Sequence, residues 1–178
     1  MRKRTKAVRK ARTPARAARR APNRAKGPEG LAYVEGKVLA LHLARVPLND
    51  RGYLLGDGVF ETLRTSNQHI FRLDEHAARI TRGLKALGLE AELASEFRDA
   101  VQALAKPGWK AFGGELYIRI NVSTGPLDDV AGNGRGITVT GLCKKFKPYP
   151  MQYYARGIHV TQSPIRKHTA DPLSNVKT

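Results

Sequence analysis

Cysteine is nearly absent from this chain. Cys143 is the single one in 178 residues. One thiol closes no intramolecular disulfide and builds no cysteine-based metal site. Long hydrophobic runs are missing too. Val38 to Leu41 is typical of the apolar stretches, and a bilayer span needs about 20 such residues. No charged amino-terminal segment leads into an apolar one, so no secretory signal is expected. Acidic residues are scarce, 15 against 32 Lys+Arg. Together these features point to a non-membrane, cytoplasmic protein.

The positive charge is unevenly placed. Residues 1–28 hold 12 Lys+Arg, three prolines and no Asp or Glu. The rest has 20 basic against 15 acidic residues, a net +5 that is ordinary for a soluble domain. Like-charge repulsion and the want of large apolar side chains predict a disordered basic tail at 1–28. Its plainest reading is a non-functional extension. An organelle-targeting peptide and an arm that binds polyanions by charge are the alternatives.

Patterned sequence starts at Leu31. Ala32–Val34 and Lys37–Ala40 flank a Glu-Gly turn and predict a hairpin. A loop at Val46–Gly52 and a glycine-rich bend at Gly56–Gly58 follow. Val59–Thr65 and His69–Leu73 predict a second hairpin around Ser66-Asn67-Gln68. Asp74 is the expected N-cap of a helix over Glu75–Leu87, with Gly88 just past its end. A second helix is expected over Ala94–Lys106, stopped by Pro107-Gly108.

Glu115–Ser123 alternates cleanly, with Leu116, Ile118, Ile120 and Val122 on one side, and predicts a half-buried antiparallel strand. After a polar loop at Asp128–Gly136, strands are expected at Gly136–Leu142 and Gly157–Gln162. The basic, aromatic run Lys144–Tyr154 lies between them. The class is therefore α+β. The expected division is a tail at 1–28, an α+β domain at 31–139, and at 140–178 a linker with the start of a second domain. His69, His76 and His159 sit in or beside patterned elements, where a structural role is the default. No His or carboxylate pair has metal-ligand spacing.

Three stretches carry a resemblance: DRGYLLGDGVFETLR from Asp50, FRLDEHAARITR from Phe71, and the terminal PLSNVKT. Together they resemble the amino-terminal half of the class IV (fold-type IV) pyridoxal-phosphate aminotransferases. That family includes branched-chain and D-amino-acid aminotransferases and aminodeoxychorismate lyase. The resemblance implies a D-amino-acid-aminotransferase-like fold, a small amino-terminal α+β domain and the first strands of a truncated second domain. It implies that Lys177 is the lysine linked covalently to pyridoxal 5′-phosphate, and that Arg79 binds the coenzyme phosphate. Phe60 would line the substrate pocket. Taken alone, Arg79 is a solvated helix arginine and Lys177 a terminal lysine; the motifs reverse both readings.

The expected activity is amino-group transfer between an amino acid and 2-oxoglutarate. Phe60, and Thr124 where D-specific members carry arginine, favour the branched-chain type. The lyase is the alternative within the family, and a non-catalytic basic nucleic-acid-binding module the alternative outside it. The family implies a homodimer for a complete protein. The half that supplies the acid facing the pyridine nitrogen is not in these 178 residues. The chain alone is therefore expected to be inactive, a fragment of a longer protein.

Overall fold

The computed structural model describes residues 29–89, 93–127, 136–165 and 176–178. The basic tail, most of the polar loop and the approach to Lys177 at 166–175 lie outside the described residues. Six strands form one sheet: β1 (Leu31–Val34), β2 (Lys37–Ala40), β3 (Gly58–Ser66), β4 (His69–Ile70), β5 (Leu116–Ser123) and β6 (Thr138–Lys145). Their spatial order is β2-β1-β6-β5-β3-β4 and every pairing is antiparallel. The helices are α1 (Arg51–Leu55), α2 (Leu73–Ala86), α3 (Leu93–Phe112) and α4 (Met151–Arg156).

The first hairpin turns where expected, through Glu35 at φ 49° and Gly36 at φ 76°. Two consecutive left-handed residues match the twist of the strands they join. On β5 the alternation predicted from sequence is the observed one. Leu116, Ile118, Ile120 and Val122 are buried against α2 and α3, joined by Val59 and Leu63 of β3 and Val139 and Cys143 of β6. α3 adds Phe97, Ala100, Val101, Leu104 and Ala105, a stripe at helical spacing. Gly141 lets α3 lie close on the sheet. A Cβ there would meet Leu104 Cδ1 at 2.6 Å and Ile120 Cδ1 at 2.9 Å.

Several expectations are corrected. α2 begins at Leu73, entered through Arg72 at φ 51°, so Asp74 lies in the first turn and does not cap. Leu73 packs on the core, which draws the helix start back. The strand expected over His69–Leu73 pairs only at His69 and Ile70. α3 does not stop at Pro107-Gly108 but runs to Phe112, with Pro107 inside it. Trp109 and Phe112 pack on the core beyond the proline. Their burial offsets the one backbone bond that proline removes.

The loop over Val46–Gly52 yields to α1, capped by the Asp50 side chain accepting from the Gly52 N–H at 2.9 Å. β6 lies in the middle of the sheet and extends to Lys145, so the domain boundary expected at Val139 falls inside a strand. Gly157–Gln162 forms no strand; it is exposed, with no strand beside it among the described residues. No described helix is long and apolar enough to cross a membrane.

Candidate functional site

β3 is flanked by β5 on one edge, and by β4 on the other only at Thr65 and Ser66. On that second edge Arg64 also accepts from the Phe71 N–H at 3.1 Å, and the chain end meets the strand at Phe60. The Phe60 N–H donates to the Lys177 carbonyl at 3.0 Å. Val176 packs on the core beside Gly83 of α2 and anchors this segment. Lys177 is thereby fixed by its backbone to β3 at Phe60.

Successive residues of β3 point to opposite faces. Glu61 therefore points inward with Val59 and Leu63, and it is 0 % exposed. A carboxylate there needs cationic or hydrogen-bonding partners. α2 supplies two of them. Arg79 donates from Nε to Oε1 at 2.5 Å and from Nη2 to Oε2 at 2.6 Å. His76 Nδ1 lies 2.7 Å from Oε2. His76 and Arg79 are three apart on the helix, so they share a face. Lys177 Nζ approaches the same Oε2 to 4.0 Å.

Burial pushes the Glu61 carboxyl up. The hydrogen bonds from Arg79 and His76 and the charges of Arg79 and Lys177 outweigh it, and hold the group below the ordinary carboxylate range. The same pair raises Arg79 above its ordinary value.

Phe60 points to the other face. Arg119 of β5 lies over its ring at 3.7 Å from the centroid, and Lys177 Nζ stands 5.1 Å from that centroid. Arg119 Nε also donates to Asn121 Oδ1 at 2.9 Å. The loop above is tied down separately: Arg51 pairs with Asp57 at 2.7 Å, and Thr124 donates to the same Asp57 oxygen at 2.8 Å. Ser123 donates to buried Asp50 at 2.9 Å.

All three residues singled out from sequence thus meet in one place. Arg79 and Lys177 share the Glu61 carboxylate, and Phe60 lies beside the lysine amine. His76 is not a bystander histidine but part of this cluster. Its signal was the spacing to Arg79, read together with an acid on the inward phase of β3. Arg119 was legible only as an outward residue of β5, because the register that sets it over Phe60 is not written locally.

An amino-transferase class IV family profile matches residues 58–178. A D-alanine aminotransferase of Bacillus licheniformis is 32% identical over 110 residues, 59% of this chain and 37% of the relative. A D-alanine aminotransferase of Staphylococcus aureus is 36% identical over 58 residues, 33% of this chain and 21% of the relative. Among solved structures, a hypothetical aminotransferase of Mycobacterium tuberculosis in its PLP-bound form superposes with TM-score 0.61 at 19% identity, over 71% of this chain and 44% of that one. A branched-chain aminotransferase of Thermoproteus uzoniensis with norvaline gives TM-score 0.51 at 26% identity, over 67% and 41%. The chain thus spans well under half the length of the proteins it matches.

Proposed function

The chain belongs to the class IV aminotransferases, and from that premise we propose that it carries the coenzyme lysine of a pyridoxal-phosphate-dependent transaminase. The reaction would move an amino group between an amino acid and 2-oxoglutarate. One observation carries the reading: the Lys177 amine and the Arg79 guanidinium are gathered on one buried carboxylate.

The residues present fit the coenzyme by their chemistry. A primary amine suits its aldehyde, and a guanidinium fork suits a phosphate dianion. Arg79 spends Nε and one Nη2 hydrogen on Glu61, which leaves Nη1 and the outer Nη2 hydrogen; its side chain is 46 % exposed, so those donors reach solvent. Bound, the coenzyme supplies an aldehyde to take up the amino group and a ring to spread the developing charge. Lys177 Nζ would hold the coenzyme through its aldehyde and, once released, would take up and return a proton at its own nitrogen. Phe60 lines the substrate side with an apolar ring. Arg119, laid over that ring, is placed to bind a substrate carboxylate.

The branched-chain type of donor belongs to this proposal, with an apolar ring at position 60 and no cation at 124. The Thr124 hydroxyl is engaged by Asp57. A D-amino-acid donor is the second reading, favoured by the D-alanine aminotransferases among the relatives. A homodimer with coenzyme sites near the subunit boundary goes with either. Lys177 is 36 % and Arg79 46 % exposed, so water reaches both side chains. The chain by itself is therefore proposed to capture the coenzyme without turning over substrate.

The experiment is reductive trapping of pyridoxal phosphate with borohydride, followed by peptide mapping and a turnover assay with leucine, D-alanine and 2-oxoglutarate. The label is expected on Lys177 and absent from that peptide in Lys177→Ala, with no turnover. Label spread evenly over surface lysines would refute the coenzyme role. Turnover would refute the inactivity of the isolated chain.

A further inference from the structure

We propose that Glu61 is a positioning residue serving both ends of the coenzyme: it grips Arg79 for the phosphate and steers the Lys177 amine toward the aldehyde, with His76 fixing the carboxylate itself. The inference rests on the coenzyme reading above and adds a division of labour among three side chains that do not touch the reacting atoms alike.

A carboxylate has two oxygens and about four acceptor positions. Oε1 takes Arg79 Nε, and Oε2 takes Arg79 Nη2 and His76 Nδ1. His76 Nδ1 also lies 3.3 Å from Arg79 Nη2, but Nη2 can only donate. The ionised Glu61 carboxylate can only accept, so the bond at 2.7 Å takes a hydrogen from Nδ1, and the approach to Nη2 is then a contact between two donors. Three donors from two side chains converge on a group with no exposed surface, so the carboxylate plane is fixed.

A bidentate fork transmits that plane to the guanidinium. Arginine alone on a helix surface samples several rotamers, and the fork removes that freedom before any phosphate arrives. The lysine is treated differently. At 4.0 Å its amine is too far for a hydrogen bond and near enough for attraction. It is held loosely, between Glu61 on one face of β3 and the Phe60 ring 5.1 Å away on the other. A tight ion pair would keep the amine from reacting; a loose one aims it and lets it leave.

The test separates this from a purely structural role by using two ligands. Pyridoxal lacks the phosphate, so the ratio of pyridoxal-phosphate to pyridoxal labelling at Lys177 reports the phosphate grip. The pyridoxal rate by itself reports the aim of the amine. In the 178-residue chain, Glu61→Gln should lower the ratio about tenfold, the loss of one charge-assisted pair. It should also slow pyridoxal labelling several-fold. Glu61→Asp, which keeps the charge but shortens the reach, should recover part of the pyridoxal rate. His76→Gln should lower the ratio about threefold and slow pyridoxal labelling less than Glu61→Gln does.

A Glu61→Gln chain that is folded by circular dichroism and retains both wild-type values would overturn the proposal. If that variant does not fold, His76→Gln decides: an unchanged ratio overturns it. If wild-type chain takes no label at Lys177, the coenzyme reading has failed first, an outcome distinct from either.

Discussion

Glu61 stands between Val59 and Leu63 on the inward phase of β3, where the neighbours are hydrocarbon. Its ionised form persists there because Arg79 and His76 bring donors to it. Removing Arg79 leaves a buried carboxylate with one strong partner. Arg79→Ala should therefore destabilise the chain by about 1–3 kcal/mol. The loss stays below that of a fully buried pair because the guanidinium is 46 % exposed and water can partly replace it. Arg79→Lys should recover only part, since an ammonium cannot form the fork. Urea unfolding with an unchanged slope is the measurement.

At this scale the sequence was uneven. Arg79 and Lys177 were legible through flanking motifs, and neither through its own surroundings. Glu61 lay in the same motif as Phe60, near the substrate side of the pocket by resemblance, and its inward role comes from the strand phase. His76 needed the phase and the helix spacing combined.

Elements show where local rules give way to packing. The alternation in β5 and the stripe in α3 were plain in the sequence because burial repeats with the period of the backbone. Pro107 misled, since the cost of an internal proline is local while its compensation comes from Trp109 and Phe112 packing further along. That cost should be recoverable. Pro107→Ala restores a backbone donor inside α3 and should stabilise by about 1–3 kcal/mol, read as a raised Tm. Gly141 works in the opposite direction. A Cβ there overlaps Leu104 and Ile120, so Gly141→Ala should destabilise by about 1–3 kcal/mol. Short strands such as β4, and the placement of β6 between β1 and β5, depend on partners far away in sequence. No local pattern announces them.

For the whole molecule, acid is the informative variable. Glu61 has its folded-state pKa depressed, so its stabilisation is complete above the ordinary value of 4.5 and is lost as pH falls through the folded value. Asp57, where burial is outweighed by the hydrogen bonds from Arg51 and Thr124 and the Arg51 charge, acts in the same direction from 3.8 downward. Stability should be flat between pH 5 and 6 and fall below about pH 4.5. The fall should be shallower in Glu61→Gln, which has no proton to take up. Thermal unfolding followed by circular dichroism across that range reads it. The family and the α+β class are the parts that sequence reached, the first through three separate motifs and the second through the periodicity of its strands and helices.

One measurement tests the central claim most directly, that the amine of Lys177 and the guanidinium of Arg79 serve one ligand: the rate of reductive labelling at Lys177 by pyridoxal phosphate relative to pyridoxal, in wild type and in Arg79→Ala. Wild type should show a phosphate advantage of about tenfold or more, and that advantage should disappear in the variant. Equal rates for the two aldehydes in the wild-type chain would contradict it.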